Sequence, residues 1–187
     1  VKADKIIDAR GKIVLPGLVD MHVHLREPGR EDKETIFTGS RAAAKGGFTS
    51  ILCMPNTEPA IDNAEVVKLV QDIIKKDALC EIYITGAITE GRQGGKLTDF
   101  GAMKKLGIIA VSDDGASVDD ATLMKDALKE ADKTGVLLIS HSEDKSIAGR
   151  GVMNHGFIAT MMGLCGIPAE AEYERVNRDI KLSGEAQ

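Results

Sequence analysis

The sequence predicts an α/β protein built around a parallel sheet. After Gly17, short apolar runs of strand length alternate with longer segments of helical periodicity, and glycines and prolines mark the boundaries. The strand-like runs are almost uninterrupted in their apolar character, which is typical of parallel strands that are buried on both faces. Strand order does not follow from this pattern, so a doubly wound sheet and a closed barrel both remain open.

Five strand-then-helix units are predicted in order. The strands cover residues 18–25, 48–54, 81–84, 108–111 and 136–139. The helices cover approximately residues 33–45, 64–76, 99–105, 120–133 and 169–182. The second helix has Asp62 or Asn63 as its capping residue and an apolar stripe that begins at Val66. A complete parallel barrel needs eight units and about 250 residues, so a barrel here would be incomplete.

The two ends of the chain depart from this pattern. Residues 1–16 are predicted to form the edge of a small, separate β domain, with β-like pieces at Ile6 and Ile7 and at residues 13–15. Residues 17–187 form the predicted main domain. The chain stops within or just after its last helix, with no closing strand, which favours a truncated chain.

Composition excludes several classes of function. Lys and Arg number 24 and Asp and Glu number 29, and the resulting net charge of −5 argues against nucleic acid and anionic membrane as partners. No apolar run approaches the roughly 18 to 20 residues that span a bilayer, and no signal peptide is recognisable, so a cytoplasmic location is predicted. The cysteines Cys53, Cys80 and Cys165 are predicted to be reduced core thiols, without a disulfide framework or a metal site.

The strongest chemical signal lies in the first predicted strand. Side chains alternate between the two faces of a strand, so every second residue from position 20 to position 26 shares one face. That face carries Asp20, His22, His24 and Arg26. Two imidazoles and a guanidinium on one face of a buried strand indicate a functional site. An edge strand with a solvated polar face is the alternative interpretation.

Three later strands also end in polar residues. The residues that follow them are Asn56, the pair Asp113 and Asp114, and His141. Because the carboxyl ends of parallel strands meet at one edge of a sheet, we expect these residues to converge with the histidines of the first strand. Histidine and carboxylate are the usual zinc ligands other than thiolate. The sequence therefore predicts a metal-dependent hydrolase.

Each of these features has a simpler interpretation when it is taken alone. Asp113 and Asp114 suit a plain turn before a helix, and Asn56 can shape a turn after a proline. His141 can be an exposed loop residue. Their joint occurrence at matching strand ends favours a functional site. The fourth histidine, His155, lies in a glycine-rich stretch and is predicted to be a surface residue.

Four motifs resemble those of a known enzyme family. Residues 16–29 (PGLVDMHVHLREPG) resemble the opening signature of the dihydroorotases, within the amidohydrolase superfamily. Residues 54–59 (MPNTEP), 112–115 (SDDG) and 141–144 (HSED) resemble later motifs of that family in the same order. The His-x-His element is common to the superfamily, whereas Arg-Glu-Pro-Gly and Met-Pro-Asn-Thr are more specific to dihydroorotases. The resemblance implies an α/β fold, the (β/α)8 TIM barrel of the metal-dependent amidohydrolases, incomplete here, with residues 17–187 as part of the catalytic domain.

The resemblance also implies the metal ligands. By similarity, His22 and His24 hold one zinc ion, His141 belongs to a second metal position, and one or two Zn²⁺ ions are expected. Related enzymes commonly bridge their metals with a carboxylated lysine, which the fourth strand lacks. Asp114 is expected to bind or bridge the metals in its place, with Asp113 as the second choice. The family's further histidine ligand and its general base lie on later strands, so both are expected beyond Gln187.

The implied activity is the reversible, zinc-dependent cyclisation of N-carbamoyl-L-aspartate to dihydroorotate in de novo pyrimidine biosynthesis. Arg26 and Asn56 would bind the α-carboxylate of this small-molecule substrate, since a guanidinium can grip a carboxylate through two parallel hydrogen bonds. One alternative is a hydantoinase or allantoinase, which would share His22, His24 and His141. Its substrate would differ, because a hydantoin lacks the free α-carboxylate that Arg26 and Asn56 would bind. Another is a non-catalytic dihydroorotase-like scaffold. A homodimer or an association with aspartate transcarbamoylase is left open.

Overall fold

Five parallel strands form one sheet in the order of the sequence. The computed structural model describes residues 3–186, and its sheet contains β1 (Leu18–Val23), β2 (Phe48–Cys53), β3 (Glu81–Gly86), β4 (Ala110–Ser112) and β5 (Leu137–Ile139). Each neighbouring pair of strands is parallel. Strand order reverses in a doubly wound sheet but follows the sequence around a barrel. The observed order is therefore that of part of a barrel.

Helices connect these strands, as the sequence predicts. They are α1 (Ile36–Gly46), α2 (Ala64–Asp77), α3 (Phe100–Lys105), α4 (Ala121–Thr134), α5 (Lys145–Ala148), α6 (Phe157–Met161) and α7 (Glu170–Ala186). Of the two predicted capping residues of α2, the structure selects Asn63, whose side chain accepts hydrogen bonds from the backbone N–H groups of Glu65 and Val66. Within residues 3–186, no helix is long and apolar enough to cross a membrane.

The sheet has apolar side chains on both sides. Consecutive residues of β2 belong to different clusters, because side chains alternate along a strand. Ile51 packs on the helix side with Val67 and Val70 of α2, whereas Leu52 packs on the other side with Ala110 of β4. This burial on both faces explains why the strands appear in the sequence as almost uninterrupted apolar runs.

Residues 3–17 differ from the prediction. The β-like pieces at Ile6 and Ile7 and at residues 13–15 form no strand, and their apolar side chains are 70–88% exposed. A strand needs a neighbour for its backbone hydrogen bonds, and no strand of the described residues pairs with this segment. The strand prediction is wrong for this segment, while the assignment of residues 1–16 to a separate domain stays a prediction. Residues 1, 2 and 187 of the predicted domains lie outside the described residues.

The segment between β5 and α7 contains more regular structure than predicted. Besides α5 and α6, it forms β6 (Met153–Asn154) and β7 (Gly166–Ile167), which pair in parallel as a separate two-stranded sheet. These elements are too short to give a periodic signal in the sequence. His155, directly after β6, is exposed, which confirms its prediction as a surface residue.

The three cysteines are free thiols. Cys53 is buried in the core, and burial raises the pKa of its thiol to about 12, so it stays protonated at neutral pH. Cys80 is partly buried and Cys165 is exposed. The prediction of a core thiol is therefore right for Cys53 and wrong for Cys165.

Candidate metal centre

Three histidines and one aspartate meet at the carboxyl edge of the sheet. His22 lies in β1 and His24 just beyond it, Asp114 follows β4, and His141 follows β5. These strands are parallel members of one sheet, so their carboxyl ends lie along the same edge. The structure thus brings together the four residues that the sequence predicts as metal ligands.

Apolar residues at the end of β1 and just beyond it alternate with the two histidines. Val23 and Leu25 pack into the helix-side core. His22 and His24 lie on the other side, where the Nε2 atoms of both face the carboxylate of Asp114. The apolar alternation in the sequence therefore positions the first two candidate ligands.

The two ends of the predicted polar face, Asp20 and Arg26, differ from its histidines in their surroundings. Asp20 Oδ1 accepts a hydrogen bond from the backbone N–H of His22 at 3.0 Å, so its side chain supports the strand itself. Arg26 lies beyond the end of β1 at Val23 and has a left-handed φ of 59°. The strand alternation no longer sets the direction of the Arg26 side chain, so the predicted four-residue face is wrong at Asp20 and stays a prediction at Arg26.

Asp114 lies at the centre of the cluster. Its Oδ1 is 3.2 Å from His22 Nε2 and 3.6 Å from His141 Nδ1, and its Oδ2 is 3.6 Å from His24 Nε2. The side chain of Asp114 is only 9% exposed. One carboxylate is therefore within reach of a ring nitrogen of every histidine in the cluster.

The surroundings of Asp114 favour its ionised form. Burial by itself raises the pKa of Asp114, but the close contact with His141 and the charges of His22 and His24 outweigh burial and bring the pKa below its usual value. The same contact raises the pKa of His141. Asp114 is thus an anionic group that can accept hydrogen bonds or bind a cation.

Asn56, at the end of β2, connects two of the candidate ligands. Its Nδ2 donates to Asp114 Oδ2 at 2.9 Å, and its Oδ1 is 2.9 Å from His24 Nδ1. Because a carboxylate only accepts, the amide oxygen must face the imidazole, and His24 Nδ1 must carry the proton. His24 Nε2 is then left with a free lone pair, which is the form that binds a metal ion. The sequence did not predict these contacts of Asn56.

Asp113 points away from the histidines. Its Oδ1 accepts hydrogen bonds from the backbone N–H groups of Ile88 (2.8 Å) and Thr89 (3.0 Å), and its Oδ2 accepts one from Thr89 Oγ1. Burial raises the pKa of Asp113, and these hydrogen bonds offset burial only in part. Of the two adjacent aspartates, Asp114 faces the metal centre and Asp113 shapes the loop that follows β3.

This set of donor atoms fits a metal ion. Single ligand atoms of His22, His24 and Asp114 all lie within 4.8 Å of one another. His141 lies outside that set but contacts the same carboxylate. Imidazole nitrogen with carboxylate oxygen is a common zinc donor set. The donor atoms of these residues therefore suit a bound cation.

Two residues without a sequence signal tie the surrounding loops together. Ser117 Oγ lies within hydrogen-bond distance of the backbone oxygens of His141 (3.0 Å) and Glu143 (2.6 Å), which links the loops after β4 and β5. Arg92 Nη1 donates to the backbone oxygen of Asp114 at 2.6 Å. A serine or arginine in a loop becomes informative only once the strand order places it beside the site.

Comparison with known proteins assigns the family. Residues 11–187 match the family model described as dihydro-orotase-like. The chain belongs to the dihydro-orotase-like family. It is 53% identical over 181 residues to the dihydroorotase of Elusimicrobium minutum and 52% identical over 181 residues to that of Pelotomaculum thermopropionicum. Both alignments cover 97% of this chain but 42% of the relative, so the chain spans less than half the length of these dihydroorotases.

Solved structures support the barrel. The L-hydantoinase (dihydropyrimidinase) of Arthrobacter aurescens matches all of this chain, and 43% of its own chain, with a TM-score of 0.82 at 21% sequence identity. The dihydroorotase of Saccharomyces cerevisiae in complex with 5-fluoroorotic acid matches 92% of this chain and 46% of its own, with a TM-score of 0.62 at 19% identity. At such identities the likeness concerns the fold. It confirms the predicted TIM-barrel fold, incomplete in this dihydro-orotase-like chain.

The two adjacent aspartates should have separable effects. In the full-length protein, we expect Asp114→Ala to lower the amount of bound metal strongly while changing the free energy of unfolding of the metal-free protein by about 1 kcal/mol or less. Asp113→Ala leaves the backbone N–H groups of Ile88 and Thr89 without their acceptor, and we expect it to lower that free energy by about 2 to 4 kcal/mol.

Metal analysis and denaturant unfolding of the metal-free variants measure these two effects. Each variant is the matched control of the other, because the substitutions are identical in type and adjacent in the chain. Full retention of metal by Asp114→Ala, or equal destabilisation by both substitutions, would contradict the separate roles.

Proposed function

We propose that this chain is part of a dihydroorotase, which interconverts N-carbamoyl-L-aspartate and dihydroorotate in de novo pyrimidine biosynthesis. The observation that carries the proposal is the convergence of His22, His24 and His141 on Asp114 in a chain of the dihydro-orotase-like family. The relatives named dihydroorotase support the choice of substrate. A cytoplasmic location is part of the proposal and is supported by the free cysteines.

Zinc is the proposed metal, as one or two ions. His22, His24 and Asp114 would hold one ion, and His141 with Asp114 would contribute to a second position. Bound zinc would supply Lewis-acid polarisation of the reacting carbonyl group and favour hydroxide at neutral pH. The protein's own contribution is to keep Asp114 ionised and His24 in the tautomer whose Nε2 is free.

Arg26 is the proposed ligand of the substrate's α-carboxylate. It lies just after β1, close in sequence to His24, and its side chain is partly exposed. The arginines that form ion pairs within residues 3–186 are Arg10, Arg30, Arg175 and Arg178, so the Arg26 guanidinium has no carboxylate partner there. A guanidinium without a protein partner can bind a carboxylate through two parallel hydrogen bonds.

Asn56 is proposed as a second contact to the same carboxylate. Its amide nitrogen carries two hydrogens, and one of them is used by Asp114. The second hydrogen can be donated to a substrate oxygen without breaking the bonds to His24 and Asp114. The general base stays a prediction for a residue beyond Gln187, as does the further histidine ligand.

A hydantoinase is the second candidate function, favoured by the likeness in fold to the Arthrobacter aurescens enzyme. The substrate distinguishes the two, because Arg26 has no α-carboxylate to bind on a hydantoin. A non-catalytic scaffold, a homodimer and an association with aspartate transcarbamoylase remain separate proposals. Binding of a stoichiometric amount of metal by the full-length protein would contradict the proposal of a non-catalytic scaffold.

Activity is tested directly with the purified full-length protein. We expect it to interconvert N-carbamoyl-L-aspartate and dihydroorotate, with hydantoin as a poor substrate. Removal of the metal by a chelator should abolish the activity, and added zinc should restore it in proportion to the zinc bound. Undiminished activity after complete metal removal, or a preference for hydantoin, would contradict the proposal.

Arg26→Met should act on substrate binding alone. Loss of a charge-assisted hydrogen-bond pair is worth about 1.5 to 3 kcal/mol, so we expect the KM for dihydroorotate to rise about 10- to 100-fold with no change in bound zinc. Steady-state kinetics and metal analysis measure both quantities.

Arg30→Met is the matched control for this substitution. Arg30 lies in the same loop but already pairs with Glu58 and Asp32, so its replacement should leave KM nearly unchanged. An unchanged KM in Arg26→Met, or an equal rise in both variants, would remove Arg26 from the substrate site.

A further inference from the structure

The loop after β3 is bound to the turn that carries both aspartates. Asp113 accepts hydrogen bonds from the backbone and side chain of Thr89. Thr89 Oγ1 in turn accepts a hydrogen bond from the backbone N–H of Gly94 at 2.9 Å. These bonds fix residues 88–94, here termed the clasp loop, against the end of β4.

Arg92 reaches back from the clasp loop to the next aspartate. Its Nη1 donates to the backbone oxygen of Asp114 at 2.6 Å. Arg92 has a left-handed φ of 57°, which is unfavourable for a residue with a Cβ, and its Nε is buried without a hydrogen-bond partner among the described residues. Both features cost stability, and the charge-assisted bond to Asp114 offsets them.

The oxygen that Arg92 holds belongs to the central peptide of a tight turn. The backbone N–H of Ala116 donates to the oxygen of Asp113 at 2.7 Å, which makes Asp114 and Gly115 the two central residues. Gly115 has a φ of 74°, whereas Asp114 is not among the residues with positive φ. This combination is that of a type II turn, and type I differs from it by a flip of the peptide between the two central residues.

We propose that Arg92 is a positioning residue of the metal centre. Its guanidinium anchors the carbonyl group of Asp114, and this anchor fixes the main chain from which the Asp114 carboxylate reaches the three histidines. A flip of the peptide after Asp114 would turn that carbonyl away from Arg92 and release the anchor. Contacts of 3.2 to 3.6 Å leave little room for a shift of the carboxylate that would follow. The inference rests on the proposed metal role of Asp114.

Two substitutions disturb the same peptide by different routes. Arg92→Met keeps an unbranched apolar side chain and removes the guanidinium donor. Gly115→Ala disfavours the left-handed φ that the type II turn needs. A Cβ at position 115 would meet Asn56 Nδ2 at 3.8 Å and Arg92 Nη1 at 3.9 Å, which are ordinary contacts. The effect of Gly115→Ala is therefore conformational rather than steric.

Lys96→Met is the matched control. Lys96 lies two residues beyond the clasp loop, is exposed, and pairs with Glu90 at 2.6 Å. This substitution also removes a cation, yet it leaves the bond between Arg92 and Asp114 intact. We expect the Lys96→Met variant to have the same zinc affinity as the unaltered protein.

Zinc affinity of the full-length protein tests the inference. Competition with a chromophoric chelator should show about 10- to 100-fold weaker zinc binding for Arg92→Met and for Gly115→Ala. The visible absorption spectrum of the cobalt-substituted protein should change in both, because the position of a ligand carboxylate has changed. The double variant should bind about as weakly as the weaker single variant, since both substitutions act through one peptide.

Unchanged zinc affinity in Arg92→Met, or independent effects that multiply in the double variant, would overturn the inference. If Arg92→Met fails to fold, Gly115→Ala decides the question, and unchanged affinity in that variant would overturn it equally. Failure of the proposed function has a different signature, because the unaltered protein would then bind zinc without converting dihydroorotate.

Discussion

The contact of one carboxylate with three imidazoles is the interaction on which the whole site depends. Asp114 supplies the only negative charge within contact distance of His22, His24 and His141 among the described residues, and its two oxygens face different rings. Three imidazoles alone would bind a divalent cation without neutralising any of its charge. Burial opposes ionisation of Asp114, yet its neighbours lower its pKa, so the folded structure itself keeps this group anionic.

The loops around Asp114 hold it in place through bonds to its neighbours. Asp113, one residue earlier, uses its carboxylate to fix the loop after β3. Asn56 connects Asp114 to His24, and Ser117 connects the loop after β4 to the loop after β5. The strands supply the common edge at which these loops meet, and the loops supply the chemistry. This division is usual in barrels of parallel strands.

Much of the fold and of the candidate site follows from the sequence, because periodicity fixes where strands end. The positions of His22, His24, Asp114 and His141 at strand ends could be predicted in this way. Side-chain direction within a loop has no such period, so the choice of Asp114 over Asp113 came from the family resemblance, and the contacts of Asn56 and Arg92 needed coordinates. The sequence could not show whether the β-like pieces within residues 3–17 form strands, because strand propensity does not indicate whether a partner strand is present.

Anomalous diffraction at the zinc edge, from crystals of the full-length protein, tests the central claim most directly. The account predicts an ion about 2.0 to 2.2 Å from Nε2 of His22, Nε2 of His24 and an oxygen of Asp114. A zinc ion bound elsewhere, or an ion at this edge of the sheet with the Asp114 side chain turned away from it, would contradict the account.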